Sequence, residues 1–256
     1  MEKLSVVIIT KDEEKNISRT LESVTWADEI VLVDSQSSDR TVEIAESFGV
    51  KIYSPPWRGY GPAKKEGVNR ASHRWILSID ADEVVTTELK EEIKSILESE
   101  KPEVGYYLPR MTNFLGKWIK HSGWYPDYVL RLFNKDFGNF NENVVHEAVI
   151  VSGTTGQLKN DLLHYSYPNL EEYFNKYNRY TTIGAEELYK KGKKSSIFEI
   201  VFKPFIAFIK HFIIKAGFLD GVEGFLVSFL SATAVMVKYA KLRRLYNMNG
   251  MNKQNE

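Results

Sequence analysis

Three carboxylates close one apolar run. In WILSIDADE, Asp80, Asp82 and Glu83 follow the strand-like stretch 75–79, with a single alanine between the first two. Like charges at that spacing repel and gain nothing from a core, so the cluster is either a solvated strand end or the seat of a cation. In an extended strand end side chains alternate, which would put Asp80 and Asp82 on one side with their Cα atoms roughly 6–7 Å apart. That span suits one carboxylate ligating a metal while the other reaches it through water or holds a ribose hydroxyl. Oxygen-only ligation favours Mg²⁺ or Mn²⁺, ions that usually arrive with substrate phosphates. An acidic turn opening the next helix is the plainer alternative.

The other strand-like runs also end in polar clusters: TKDEE follows the first and DSQSSD the second. Asp39, just ahead of a helical stretch, reads as an N-cap that accepts backbone N–H bonds. Asp34 has no comparable structural duty and reads as an acceptor for a base N–H or a sugar hydroxyl. Neither G-x-G-x-x-G nor G-x-x-x-x-G-K-[ST] occurs, so neither glycine-rich phosphate cradle is present. Phosphates would have to be held by a metal and by basic side chains.

Periodicity supplies the elements that must position these groups. Residues 4–9 read as a β-branched strand, 13–24 as a helix with acids in its first turn, and 29–33 as a second strand. A helix over 39–48 closed by Gly49 and a strand at 50–53 follow. Helices over 64–71 and 87–98 then flank a fourth strand at 75–79. Strands alternating with helices at these lengths give parallel βαβ units, whose ligands bind outside the carboxyl ends of the strands. Residues 105–165 are rich in aromatics, Gly and Asn, with short strands expected at 105–109, 129–133, 148–151 and 162–165. From about 168 the chain reads as helical.

The chain has 256 residues, 43% hydrophobic and 27% charged. That is an ordinary globular composition, with room for one α/β domain and a substantial extension. The formal net charge is zero, which gives no reason to expect a nucleic-acid partner. Cysteine is absent, so disulfides and thiolate metal sites are excluded. The opening MEKLSVVIITKDEEKN reads as a buried first strand rather than a secretory signal. No run offers roughly 20 uninterrupted apolar residues for a spanning helix. A cytoplasmic protein is the expectation.

Together, VVIITKDEEKNISRTLESV, EIVLVDSQSSDRTVEIAESFG and WILSIDADE resemble the family 2 glycosyltransferases. Those are inverting α/β enzymes of the GT-A fold, with a Rossmann-like, mostly parallel sheet flanked by helices. WRGYGPAKKEG, GWYPDYVLRLF, VVHEAV, LLHYSY and GFLDGVEGF are similar to the bacterial lipopolysaccharide-core β-glucosyltransferase branch, so the resemblance covers nearly the whole chain. It implies a catalytic domain over 1–166, with a nucleotide-sugar half at 1–104 and an acceptor half at 105–166. A helical, membrane-associating extension would follow at 167–256. It further implies that Thr10, Glu13 and Asp34 hold the base and ribose of a sugar nucleotide and that Lys64 helps hold the donor. Asp80 would contact ribose or metal-bound water, and Asp82 would ligate Mg²⁺ or Mn²⁺. Two positions depart from the family pattern: Asp12 stands where Asn is usual in T-x-N-E, and Lys65 where Asn is common. Both bear on donor preference, and neither removes the acidic metal site.

Inverting transfer needs a base that takes the acceptor hydroxyl's proton as its oxygen attacks the anomeric carbon. It also needs cations to neutralise the leaving diphosphate. Glu147 stands where the family usually places its base; Asp127 is the competitor and Glu142 a third. Related enzymes often draw a further metal ligand from a histidine at a late strand end, which His164 would be. A buried histidine bonded to a backbone carbonyl is the bland alternative. His146 would orient Glu147 or meet the acceptor, and Arg131 would pair with the diphosphate or form a surface ion pair. Trp124, with Trp118 and Tyr125, would stack on sugar faces or simply pack.

Over 190–244 eleven lysines and arginines face three acids, among apolar blocks that Pro204 and Gly217 interrupt. Apolar faces flanked by lysines suit helices lying in the headgroup region of an anionic leaflet. Helices packed on the catalytic domain, or a dimer core, are the alternative. The expected protein is a metal-dependent inverting transferase, peripheral on the inner face of the cytoplasmic membrane. By the resemblance it moves a hexose, glucose, from a nucleoside diphosphate sugar (a UDP-sugar) to a lipopolysaccharide core or related glycolipid. A polyprenyl-phosphate glycosyltransferase is the enzymatic rival. A non-catalytic membrane-binding module that keeps the fold is the rival of another class.

Overall fold

The computed structural model describes residues 2–99, 103–141 and 147–252; Glu142 and His146 lie outside the described residues. In chain order the elements are β1 (Leu4–Thr10), α1 (Ile17–Val24), β2 (Glu29–Asp34), α2 (Thr41–Ser47), β3 (Lys51–Tyr53) and α3 (Tyr60–Arg70). There follow β4 (Trp75–Asp80), β5 (Glu83–Val85), α4 (Thr87–Glu98), β6 (Glu103–Phe114), β7 (Lys117–Trp118), β8 (Asp127–Asn134) and β9 (Gly138–Phe140). The chain continues with β10 (Val149–Val151), β11 (Thr154–Gln157), β12 (Leu162–Tyr167), α5 (Leu170–Lys190), α6 (Ile197–Ile209) and α7 (Gly221–Asn252). Two compact units result: Met1–Met111 with Pro126–Tyr165, and Thr112–Tyr125 with Ser166–Glu256.

The first unit is built on a sheet of order β3-β2-β1-β4-β8-β6-β12-β5. The strands joined by helical crossovers, β3, β2, β1 and β4, run parallel, while β8 joins β4 antiparallel and β5 pairs antiparallel with β12. The sheet is therefore mixed. β1 is buried along its whole length, as a central strand covered on both faces must be. Its alternation divides the core: Leu4, Val6 and Ile8 pack with Ile17 and Leu21 of α1 and Leu89 and Ile93 of α4, while Val7 meets Val68 of α3.

Two local features adjust the expected elements. Asp12 takes a left-handed conformation, φ +54°, which turns the chain after β1 and delays α1 to Ile17. Glu13 and Glu14 therefore precede the helix, and its first turn carries no acid. α3 lies close on the sheet because Gly67 lacks a side chain; a Cβ there would sit 2.4 Å from Val7 Cγ1.

The second unit has its own core, in which Phe114 and Ile119 pack with Tyr173 of α5 and Val227 of α7. Trp124 packs edge-on against Phe114 at 5.9 Å between ring centroids. α6 opens on a Ser196–Glu199 capping box and runs into a π-helical turn, Lys210–Ile214; a 3-10 turn, Gly217–Asp220, leads into α7. Against expectation, one helix among the described residues, Gly217–Met248, is long and apolar enough by length and composition to cross a membrane. A third of its most apolar window is buried inside the protein.

Candidate active site

Parallel register gathers the first three candidates at one edge of the sheet. Thr10 stands opposite Asp34, and Ile9 opposite Asp80, so the ends of β1, β2 and β4 lie side by side. The loops beyond β1 and β2 are laced together. Asp12 accepts the Ser38 N–H at 2.7 Å, Asp39 accepts the Glu14 N–H at 3.0 Å, and Thr41 Oγ1 accepts the Glu13 N–H at 2.8 Å. Asp39 also accepts the Thr41 N–H, one residue ahead of the formal cap. Asp34 does have a structural duty: its carboxylate accepts the Ser37 N–H and the Ser37 hydroxyl, the latter at 2.5 Å, and so closes the turn after β2. The Thr10 hydroxyl, by contrast, is buried with no hydrogen-bond partner among the described residues.

β4 stops at Asp80, and Ala81 and Asp82 form a turn into β5. The alternation that would place both aspartates on one side of a strand therefore does not apply. Two bonds fix the turn: the Asp80 N–H donates to Glu83 Oε2 at 2.9 Å, and the Thr20 hydroxyl of α1 donates to the Ala81 carbonyl at 2.7 Å. The two carboxylates consequently have different partners.

Asp80 lies in a chain of seven ionisable groups. Lys64 Nζ sits 3.0 Å from Glu147 and 2.9 Å from Asp80 Oδ1. Arg131 Nη2 sits 2.7 Å from both Asp80 Oδ2 and Glu83 Oε1. Arg110 links Glu83, at 3.1 Å, to Asp127, at 2.6 Å. Glu147 and Asp127, the two candidate bases, stand at its opposite ends. Arg131 is buried, so the surface ion pair considered for it is not what forms. Burial opposes the charge on Asp80, but Arg131 and Lys64 overcome that penalty and hold its carboxyl well below the usual carboxylate range. Burial likewise works against both arginines; Asp80 and Glu83 nonetheless raise the pKa of Arg131, and Glu83 and Asp127 that of Arg110.

Asp82 faces a histidine instead. β12 pairs with β5 so that His164 stands opposite Glu83, and the Tyr165 N–H donates to the Asp82 carbonyl at 2.9 Å. This register brings His164 Nε2 to 3.2 Å from Asp82 Oδ2. The bland reading of His164, a ring bonded to a backbone carbonyl, is not what forms among the described residues, where its Nδ1 is buried without a hydrogen-bond partner. Of this pair the carboxylate oxygen suits Mn²⁺ or Mg²⁺, while the imidazole nitrogen is the softer donor. Among the described residues no group of three or more such ligands assembles, so other positions on an ion would fall to phosphate oxygens and water.

A family model described as "Glycosyl transferase family 2" matches residues 5–154. This chain is a family 2 glycosyltransferase. An uncharacterized glycosyltransferase of Rickettsia typhi is 34% identical to it, over 96% of this chain and 88% of that one. The "lipopolysaccharide core biosynthesis glycosyltransferase LpsC" of Rhizobium meliloti is 28% identical over 93% of each chain. The solved mannosyltransferase of Pyrobaculum calidifontis, in complex with GDP-Man and Mn²⁺, superposes with a TM-score of 0.59 at 10% identity, over 94% of this chain and 87% of that one. The fold of this glycosyltransferase is thus of the GT-A kind, a mixed sheet flanked by helices, followed by a long apolar C-terminal helix.

Of the residues singled out from sequence, Lys64, Asp80, Arg131, Glu147 and Asp127 share one ion network, and Asp82 and His164 form a pair. Thr10 and Asp34 line the neighbouring strand ends, and the Glu13 carboxylate accepts from Asn16 at 2.6 Å. Trp124 belongs to the second unit's aromatic core. Sequence reasoning noted Glu83 only as part of the acidic cluster, without a role, and missed Arg110. A third acid directly after D-x-D was the only signal in the sequence; the structure buries Glu83 wholly, and a buried carboxylate demands a cation. Arg110, a lone base in the apolar run GYYLPRMTNF, is the counterpart that signal asks for.

Proposed function

We propose that this glycosyltransferase is inverting and metal-dependent. It would move a hexose, glucose by resemblance, from a UDP-sugar to a lipopolysaccharide core or related membrane glycolipid on the inner face of the cytoplasmic membrane. The observation that carries the reading is the Asp82–His164 pair, with Asp82 two residues on from an Asp80 already neutralised by Lys64 and Arg131. Asp82 and His164 would hold Mn²⁺ or Mg²⁺, which when bound neutralises charge on the donor diphosphate. Thr10 and Asp34 orient base and ribose, Asp34 with the oxygen capacity that Ser37 leaves unused. Lys64 and Arg131 supply positive charge beside the leaving group. Glu147 accepts the proton of the acceptor hydroxyl, its position fixed by Lys64 at 3.0 Å; Asp127, gripped by Arg110, is the alternative base. The mannosyltransferase neighbour's donor and metal, and the function in the name of the Rhizobium relative, support the donor class and the acceptor class respectively.

The test is transfer from UDP-glucose to deacylated and intact lipopolysaccharide core, with Glu147→Gln and Asp127→Asn compared. Loss of several orders of magnitude in kcat for Glu147→Gln alone, with UDP still raising the melting temperature, supports the assignment. Transfer retained by Glu147→Gln with a polyprenyl phosphate as acceptor would replace it with the phosphate-acceptor reading, since an acceptor phosphate needs no strong base. No sugar-nucleotide hydrolysis under any metal condition would return the non-catalytic reading.

A further inference from the structure

The largest feature that the transfer chemistry leaves unused is an apolar ridge on the second unit. Ten of the thirteen residues of α6 are Ile, Phe, Val or Ala, and none of the thirteen is buried. The ridge continues through the turns that follow: Ile213, Ile214, Phe218, Leu219 and Val222 are all more than half exposed or close to it, Ile214 by 72% and Val222 by 70%. A helix apolar on all sides is normally covered by something. α7 packs along one face of α6, where Phe208 meets Phe225 and Lys203 donates to the Tyr239 hydroxyl; on the opposite face Ile197, Val201, Phe202, Phe205 and Ile206 stay exposed among the described residues.

The sequence GFLDGVEGF explains how this ridge is presented. Asp220 is buried, and its carboxylate accepts the backbone N–H groups of His121 at 2.7 Å and Lys120 at 3.2 Å, with His121 Nδ1 at 2.9 Å. Lys117 Nζ donates to the Asp220 carbonyl at 2.5 Å. The His211 ring bonds the Ser122 carbonyl at 2.6 Å, and the Ser122 N–H donates to the Lys215 carbonyl at 2.9 Å. Gly217 and Gly224 permit the knot: a Cβ on Gly224 would fall 1.9 Å from the Gly217 carbonyl oxygen. The result clamps residues 117–123 beside the exposed Phe218, Leu219 and Val222. Lys120, Lys210 and Lys215 border the ridge, and none of them forms an ion pair with a described residue.

We infer that this ridge is a monotopic wedge: α6 and the tip from the π-helical turn to Val222 lie at the headgroup–acyl boundary of an anionic leaflet. Lys120, Lys210 and Lys215 meet lipid phosphates there. Apolar surface flanked by unpaired cations is complementary to such a leaflet and to no neutral surface. The same geometry argues against α7 spanning the bilayer. Three of its exposed large apolar side chains, Val222, Phe225 and Phe229, lie in its first turns, with Met236 and Met248 further along, while Val227, Ala232 and Leu242 are buried in the unit. Lys241 spends its ammonium on Asn178, Thr181 and Thr182 of α5, a tie that insertion of α7 would break. The inference deepens, and rests on, the proposal of a membrane glycolipid acceptor.

The absence of native cysteine makes the test direct. Ile214→Cys and Met236→Cys variants of the full chain carry an environment-sensitive fluorophore and meet vesicles of phosphatidylcholine with or without phosphatidylglycerol. The expected result is a blue shift at position 214 only, on anionic vesicles, quenched by a shallow lipid quencher and reversed by salt. Lys120→Glu with Lys215→Glu should weaken vesicle binding at least about tenfold, with Phe218→Asp doing the same. Quenching at both positions by a mid-bilayer quencher would show a span and overturn the inference. A shift at 214 that depends on protein concentration and not on lipid would show a second copy on the ridge and overturn it equally. So would the absence of any shift with lipid. UDP thermal stabilisation and sugar-nucleotide hydrolysis, measured without vesicles, report the transferase reading separately.

Discussion

Arg131→Met removes the centre of the ion network while leaving a side chain of similar length. Each of its two 2.7 Å contacts, to Asp80 and to Glu83, has a gross Coulombic value of about 6 kcal/mol at an effective dielectric constant of about 20. Desolvating the ions offsets most of that, and removing one member of such a buried arrangement typically costs about 3–5 kcal/mol, because the partners are left uncompensated. Glu83 is wholly buried and would retain only Arg110; Asp80 would retain Lys64. For a unit of this size the loss corresponds to a melting temperature lower by roughly 10 °C. The sign of the pH dependence follows from Asp80, whose folded pKa lies below its unfolded value. Its stabilisation is fully present above the unfolded value, about 3.9, and is lost as pH falls through the folded one. Urea denaturation followed by circular dichroism should therefore show the full gap between parent and variant at pH 7, closing only in acid below about pH 4. A cycle with Asp80→Asn should give a coupling of at least about 1 kcal/mol. A cost below about 1 kcal/mol at pH 7, or a gap that widens in acid, would refute the buried, charged network.

Three further outcomes can be checked. With UDP present, Mn²⁺ should raise the melting temperature of the parent, and Asp82→Ala should abolish the metal-dependent part and His164→Ala reduce it; an undiminished shift in Asp82→Ala would remove the pair as ligands. Burial opposes the charge of Glu29, but Lys51, the Ser5 hydroxyl and the N–H and hydroxyl of Ser72 outweigh it and bring its pKa down to about 2. Glu29→Gln should then cost roughly 2–3 kcal/mol above about pH 4.3, the difference vanishing as pH falls towards the folded value, as measured by urea midpoints. Gly224→Ala should destabilise the second unit by at least about 2 kcal/mol, since its Cβ would meet backbone rather than a yielding side chain; native-state proteolysis of α6 and α7 is the readout, and parent-like resistance would contradict the knot.

The βαβ half was legible because its pattern is local. β1, β2, β4 and α4 appear within a residue of their expected bounds: apolar runs of strand length and a capped helical stretch need no distant partner to be recognised. Thr86 caps α4 by accepting the Leu89 N–H at 3.1 Å, a signal present in four consecutive residues. The start of α1 was misplaced because it depends on the left-handed Asp12, and that conformation is sustained by Ser37 and Ser38 from the next loop. Of the later strands, β6, β8, β10 and β12 were foreseen individually and the short β5, β7, β9 and β11 were not; no antiparallel pairing was foreseen, since periodicity says which face is buried and nothing about which edge is joined.

The same division holds for the site. Residue types and spacing brought forward Asp80 and Asp82, because carboxylates at strand ends have few structural uses there; the family resemblance added Lys64, Glu147 and His164, with Asp127 and Arg131 beside them. Which of them face one another was decided by pairing across long separations. The register of β12 on β5 sets His164 against Asp82, and the turn after β4 sends Asp80 to Lys64 and Arg131 instead. A sequence fixes charge, size and local propensity residue by residue. Ion-pair partners depend on distances of about 3 Å between segments tens of residues apart, and only the packed sheet sets those.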